Sequence, residues 1–429
     1  MLIIGRLPLI LFGSGPTQAA GYKIPEQSLN STALSAAYVA NAHGADASYN
    51  NPAAMAFNEG GRALEADLTL IHLTRIQHDG ASFDDRSQVE NFQMSTLHYV
   101  SDDKGGWRYG FSMVSPAGLS KRWEGTAAAF AEEFTLQTLE LNPTIGFQVN
   151  DRFAVGGSVR AVYSKGKVIS SDSALGSFPL GRSLEGDSFD FGYNLALHYR
   201  ASKQLDLSAT YRSKVELTLD GDARLTYSGT PYYNSGASVT VPIPAALNLA
   251  AAYTFDRTTL ELVLERTYWS AYKNLDFNYA SDISAIPVVG ASLAAAFDDP
   301  KTKNWSDSDT IRLGITHELD SRWTLMAGFA YDKTPVPRKY AGYELPDSDS
   351  KVYSFGARYR YDDQLSIGAA FLYDDKETLD LTGSGNTEVS RHPGQLEVHR
   401  YRRLSAHHGY RVQVLTPAGR TETAKKRRP

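Results

Sequence analysis

The run Phe189-Asp190-Phe191-Gly192-Tyr193-Asn194-Leu195-Ala196-Leu197-His198-Tyr199-Arg200 divides by parity, large apolar or aromatic residues alternating with polar or small ones. Successive side chains on a strand point to opposite faces. The run therefore predicts a strand with one greasy and one wet face. The same split returns over 153–165, 205–212, 247–255, 323–331, 353–361 and 365–373, and from about 63 to 377 the chain reads as thirteen such strands. In a soluble sandwich the apolar face would be the inner one. In an outer-membrane barrel it meets lipid, and the polar face lines the lumen.

The connections separate these two architectures. Tight turns are expected at 102–105, 150–152, 202–203, 256–257, 320–322 and 362–363. Long connections are expected at 75–91, 122–133, 168–186, 220–242, 278–304 and 334–350. Short and long alternate without exception, as the two ends of an outer-membrane barrel require. The expected fold is all-β, a transmembrane antiparallel β-barrel over 62–385. Such barrels close on an even number of strands, so fourteen are expected.

Composition agrees. No run approaches the roughly 18 apolar residues of a spanning helix, and no linker interrupts the pattern. The net charge of -5 leaves no electrostatic footprint for nucleic acid. Ten histidines occur without an HExxH or other paired metal spacing, so neither metal nor cofactor is expected. Residues 1–20 hold an apolar core at 7–12 and then Thr17-Gln18-Ala19-Ala20, a small-residue cleavage site before Gly21. This is the grammar of a signal peptide, and the absence of cysteine suits export through an oxidising compartment.

The far end breaks the pattern. From about Asn386 the alternation lapses, and Arg391, Arg400, Arg402, Arg403, Arg411, Arg420 and the closing Lys-Lys-Arg-Arg-Pro crowd the chain. A fourteenth strand with a terminal aromatic, the feature that barrel insertion machinery reads, is expected there and is not legible. A reading-frame change near 386 would account for this basic tail over 386–429. Resequencing the coding region tests it, and a confirmed frame leaves a basic periplasmic extension instead.

Between the leader and the first strand lie residues 21–61, small and polar. They are too few for an independently folded plug, yet long enough to thread into a barrel and block it as a hatch. Within them, Asn51-Pro52-Ala53 is by pattern only a turn signal. In the third strand, Ser115-Pro116-Ala117-Gly118-Leu119 sets a proline, which removes a ladder donor, near a glycine, which weakens or bulges a strand. On the residues alone, Pro116 equally marks a strand end beside a loop.

Several blocks together resemble the FadL/TodX family of outer-membrane transporters for long-chain fatty acids and hydrocarbons. Near the N-terminus these are Gly21-Tyr22-Lys23, the Ala/Gly-rich stretch to Asp46, and Asn51-Pro52-Ala53. Further on they are Trp269-Ser270, Thr310-Ile311-Arg312-Leu313-Gly314, Trp323-Thr324-Leu325 with Gly328, Asp332-Lys333-Thr334-Pro335-Val336-Pro337 and Leu345-Pro346-Asp347-Ser348-Asp349. The likeness covers about 21–385. It implies a fourteen-stranded barrel plugged by its N-terminal hatch. It also implies that the strand carrying Ser115, Pro116, Ala117, Gly118 and Leu119 kinks inward and opens a lateral portal.

The expected function is passive outer-membrane transport of hydrophobic molecules, captured at external loops, passed by the hatch and released sideways into the membrane. Apolar loop residues Phe130, Ile286, Val288, Val289, Leu293 and Phe297 are candidates for capture, or alternatively for a cap that packs on itself. Trp107, Trp123, Trp269, Trp305 and Trp323 read as an interfacial girdle. Arg160, Arg200, Arg212, Arg312, Arg358 and Arg360 read as lumenal, available to a carboxylate or paired with acids such as Glu261 and Glu265. Expected partners are a hydrophobic small-molecule ligand, outer-membrane lipid and lipopolysaccharide, and the insertion machinery, with the chain acting as a monomer. A general diffusion porin is the alternative, separable by steady ion conductance. A barrel-embedded lipid enzyme ranks lower, because Gly186-Asp187-Ser188 lacks a downstream histidine partner.

Overall fold

The computed structural model describes residues 21–80, 84–171, 179–386 and 399–403; the leader and most of the basic tail lie outside the described residues. Among the described residues thirteen crossings follow in chain order. They are Ala63–Leu73, Glu90–Val100, Trp107–Val114 continued by Gly118–Lys121, Glu133–Gln148, Phe153–Ser170 and Leu180–Arg200. Next come Leu205–Arg212 continued by Val215–Tyr227, Thr230–Ile243 continued by Ala246–Phe255, Thr258–Thr267, Ser308–Glu318, Trp323–Asp332, Ser350–Arg360 and Ser366–Lys376. Each pairs antiparallel with the next.

Burial inverts the order of a soluble protein. Phe189, Phe191, Tyr193, Leu195, Leu197 and Tyr199 are exposed, as are Leu249, Leu262, Ile311, Leu313 and Phe355 on other crossings. The opposite parity is buried and polar: His98, Glu140, Arg160, Asn194, His198, Glu261, Glu265 and Arg312. Large apolar residues left outside with charges held inside mean that the outer solvent is hydrocarbon.

The tight turns fall where expected. Two of the expected long loops do not. Residues 180–186 belong to the sixth crossing, and 215–243 form a hairpin closed at Ser228 and Gly229, both at positive φ. The pattern continues there, with Leu217, Leu219 and Leu225 buried and Glu216, Thr218, Asp220 and Asp222 exposed. The outward face simply changes from apolar to polar as the strands rise above the membrane.

Among the described residues no ladder joins Ser366–Lys376 back to Ala63–Leu73, and this is the place of the expected fourteenth strand. The only described part of the far tail, His399–Arg403, pairs instead with Ile76–Gly80 and Leu379–Asp380 in a small sheet at the outer end.

Residues 21–61 run down the lumen from the outer end to the periplasmic end. They carry three short helices, Leu29–Ala33, Ala47–Asn50 and Pro52–Met55. Close seating is possible because the wall offers glycine at the tightest backbone approaches, among them Gly156 and Gly328. A Cβ on Gly156 would lie 2.5 Å from the Pro52 carbonyl carbon, and one on Gly328 would lie 2.1 Å from that of Leu34.

Candidate functional site: a plugged lumen with a side window

The third crossing breaks at the predicted proline. Val114 sits opposite Glu140 and Gly118 opposite Gln137, so four steps on one strand match three on its neighbour. That is a one-residue bulge. Ser115, Pro116, Ala117, Gly118 and Leu119 are all buried, so the strand bends inward.

Its other neighbour is left behind. The second crossing pairs with the third only from Leu97 opposite Met113 to Val100 opposite Gly110. The wall closes again where Gln88 N–H donates to the Arg122 carbonyl at 2.8 Å and Ser120 Oγ donates to Glu90 at 2.5 Å. Residues 91–96 between these points face a slot about 20 Å long, at roughly 3.3 Å per residue. The ladder between the second and third crossings is thus interrupted beside residues 115–119.

Unpaired backbone in a membrane wall costs several kcal/mol per group, and the hatch removes that cost. Ile24 N–H donates to the Pro116 carbonyl at 2.9 Å, and Gly118 N–H donates to the Tyr22 carbonyl at 2.8 Å. Ser115 is satisfied by one side chain: its N–H donates to Gln27 Oε1 at 2.9 Å, and its carbonyl accepts from Gln27 Nε2 at 2.7 Å. Sequence pattern pointed to Pro116, whereas nothing in it pointed to Gln27.

Two cavities flank this kink. The outer one, about 70 Å³, is walled by Leu119, Phe134, Leu136, Val168, Leu184, Leu219, Val239, Val241, Leu275 and Phe277, with Tyr22 at its floor. One water needs about 10–15 Å³ on this scale, so a short stretch of hydrocarbon fits. The inner one, about 60 Å³, is lined by Pro116, Ile243 and Tyr49 together with Lys23, Arg160, Arg212 and Glu265.

The lumenal arginines differ in how far they are committed. Arg160 is paired to Glu140 at 2.9 Å, Arg312 to Glu265 at 3.2 Å, and Arg358 to Glu65 at 3.4 Å while also donating to Asn30. Arg200 stacks on Phe57, 4.0 Å from its centroid. Arg360 shares the parity of Arg358 but is exposed, because its crossing ends there at the periplasmic side. Arg212 lies 3.7 Å over the Tyr49 ring and donates to the Tyr49 carbonyl. Its Nη1 is buried without a hydrogen bond, 3.9 Å from Glu140. It is the looser cation in the inner cavity.

Three tryptophans leave the expected girdle. Trp107 and Trp323 are exposed near the periplasmic turns, but Trp123, Trp269 and Trp305 are buried. Trp269 and Trp305 pack around Tyr22, with centroids at 4.8 and 5.8 Å, and Trp123 Nε1 donates to the Tyr343 carbonyl at 2.7 Å. Loop tryptophans close to the membrane in sequence are drawn inward by the hatch and the cap. The amide of Gly21 donates to buried Asp347 at 3.2 Å, fixing the hatch's outer end.

The apolar loop residues separate likewise. Val289, Leu293 and Phe297 are buried in the cap, Ile286 is half-buried, and Phe130 stacks on Tyr343 at 5.3 Å. Val288 alone of the six is fully exposed, at φ +71°. Burial pushes the Tyr343 hydroxyl and, less completely, the Asp85 carboxyl up from their ordinary ranges.

Asn51-Pro52-Ala53 proves to be a helix start. Asn51 Oδ1 accepts from the Ala53 and Ala54 N–H groups at 3.0 and 3.1 Å, with Pro52 at the first helical position. Its Nδ2 donates to the Val39 carbonyl at 2.8 Å and to Ser208 Oγ at 3.0 Å, tying hatch to wall. Asn51→Ala is expected to lose about 0.5–2 kcal/mol from the cap alone. A lowered midpoint for the heat-induced gel mobility shift checks this, and Asn51→Asp, which keeps the cap, should fall between.

The block Gly186-Asp187-Ser188 lies within a regular crossing. Ser188 Oγ donates to Asp190 and meets Ser164 Oγ, both at 2.6 Å, with no histidine among these partners.

Comparison with known proteins follows the geometry. Residues 10–404 match the family model described as outer membrane protein transport protein (OMPP1/FadL/TodX), a reach beyond the 21–385 of the motif resemblance. The long-chain fatty acid transport protein of Escherichia coli O6:H1 is 26% identical over 84% of this chain and 89% of its own length. Outer membrane protein P1 of Haemophilus influenzae is 23% identical over 85% and 88%. Among solved structures, a Pseudomonas aeruginosa FadL homologue superposes with a TM-score of 0.77 at 19% identity, over 93% of this chain and all of its own. The Pseudomonas putida toluene transporter TodX gives 0.68 at 16% identity, over 92% and 99%. The chain is an outer-membrane β-barrel and belongs to the FadL/TodX family of outer-membrane transport proteins.

Proposed function

We propose that the protein carries long-chain fatty acids across the outer membrane and releases them sideways through the slot beside residues 91–96. The observation that carries this reading is the break in the wall between the second and third crossings, bordered by Pro116 and Leu119, which line the two cavities. An acyl chain meets apolar walls first, each buried CH₂ contributing about 0.8 kcal/mol. Its carboxylate then reaches the inner cavity, where Arg212 has an uncommitted Nη1. The chain leaves between Leu97 and Glu90 for outer-membrane lipid, without crossing the hatch and without a cofactor. Val288 and half-buried Ile286 and Phe130 offer first contact at the outer surface, while Val289, Leu293 and Phe297 support them from beneath. The chain does this as a monomer.

Hydrocarbon transport is the second reading, favoured by the outer cavity, whose walls are almost wholly apolar. Labelled oleate and labelled toluene, offered to cells lacking their own transporter and expressing this protein, separate the two. Oleate uptake supports the first reading and toluene uptake alone the second. Uptake of neither, with steady ion conductance, would leave a porin. Arg212→Met is expected to lower oleate uptake about tenfold, since hydrogen bonds to charged groups contribute about 1.5–3 kcal/mol. Toluene uptake should stay within about twofold, having no charge for the guanidinium to meet.

A further inference from the structure

We propose that Glu261 is the positioning residue that latches the hatch shut, and that loop 36–41 is the part it holds. The inference rests on the hatch being the plug of a transporter, but not on which ligand is carried.

Glu261 belongs to the wall, on the ninth crossing. Its carboxylate accepts three successive hatch amides: Val39 N–H at 2.7 Å, Ala40 N–H at 2.6 Å and Asn41 N–H at 3.2 Å. Consecutive amides turned toward one point form an anion-binding nest, and bonds to a charged acceptor are the stronger kind. Most other wall-to-hatch links join a side chain to one hatch atom, as Asn51 does from the hatch to Ser208. Losing Glu261 releases three amides together.

The loop it holds is placed to matter. Ala36, Tyr38 and Val39 line the inner cavity beside Arg160, Arg212 and Glu265. Glu261 stands four residues nearer the periplasmic turn than Glu265 on the same strand, so the nest lies below that cavity. Ser35 and Ala36, at φ +49° and +60°, are successive non-glycine residues in the left-handed region. Such backbone persists only where its surroundings impose it. Here Arg312 Nη1 holds the Ser35 carbonyl at 3.0 Å, and Ser354 bonds Ser35 Oγ at 2.8 Å. The loop is thus strained at one end and tied by Glu261 at the other, across the downward path out of the cavity. With the latch closed, the way down is shut and the side window lies beside the cavity at Pro116.

The test is ion conductance of the full protein in planar bilayers, which needs no ligand. Wild type is expected to stay closed. Glu261→Ala should conduct at least roughly tenfold more, as one charge-assisted anchor leaves a closed–open balance. Glu261→Gln, which retains a neutral acceptor oxygen, should fall between. Sodium formate should reduce the leak of Glu261→Ala by refilling the vacated nest, where equal sodium chloride does not, and should leave wild type unchanged. Unaltered heat-induced gel mobility shows that the barrel itself is intact; if Glu261→Ala fails that control, Glu261→Gln carries the comparison. A closed channel in the folded acid-free variants overturns the proposal, and so does a leak that formate cannot reduce. Failure of oleate uptake in a closed wild-type channel would count against the transport reading alone.

Discussion

Deleting Pro116 should abolish uptake of apolar ligand while leaving a folded, closed barrel. The third crossing carries one residue too many between Val114 and Gly118 relative to Glu140 and Gln137. Removing it makes the steps equal and restores a backbone donor that proline lacks. The straightened strand can then ladder with residues 91–96, whose edge is free over that stretch. Uptake of whichever ligand the wild type carries should fall at least about tenfold, corresponding to about 1.4 kcal/mol on the barrier. Ion conductance should stay low, because the hatch remains in place. Unchanged uptake in a protein with normal gel mobility would remove the side window from the mechanism.

The second large effect comes from the opposite intervention, disturbing the hatch without touching the window. Gly328→Leu places a side chain where a Cβ alone would meet the Leu34 carbonyl carbon at 2.1 Å and its oxygen at 2.4 Å. Both partners are backbone, one in a strand and one at a helix end, so neither can swing aside. Overpacking of this kind costs about 1–3 kcal/mol even among flexible side chains, and here the plug must move. Steady ion conductance is the expected readout. Gly236→Ala is the matched control, since its nearest neighbour, Ala280 Cβ, lies at an ordinary 3.6 Å. Equal conductance from both variants would show that wall glycines do not seat the hatch.

The barrel was legible in the sequence because lipid exposure writes itself as alternation. Phe189, Phe191 and Tyr193 need no partner to be read; they need only the right parity. The turns were equally plain. The hairpin over 215–243 was missed because its outward residues, Glu216, Thr218 and Asp220, match the polarity of a loop. The alternating Leu217, Leu219 and Leu225 were the signal that distinguishes them.

The interior was less legible. Pro116 announced a break, but the three tryptophans that turn inward carry no mark separating them from Trp107 and Trp323. Trp269 and Trp305 pack on Tyr22 and Trp123 on Tyr343, in each case a partner more than 200 positions away in sequence. Arg160, Arg212 and Arg312 look alike as letters, and only the positions of Glu140 and Glu265 show which guanidinium is held more loosely. Gln27 was silent, and Glu261, read as a partner for arginine, accepts hatch amides instead, because each acts on backbone atoms that every residue possesses.

The Gln27 amide that completes Ser115 bears on how the molecule comes together. The bent segment of the third crossing draws its pairing from Tyr22, Ile24 and Gln27, with Thr138 of the fourth crossing at Ala117, rather than from the second crossing. A barrel assembled around an empty interior would expose those groups to hydrocarbon, or would close the bend by pairing it sideways. The N-terminal segment therefore shapes the wall as well as filling it, since the bend keeps its backbone satisfied through that segment. An unplugged precursor would hold the bent segment without these partners, and the bend would have to pair sideways or meet lipid.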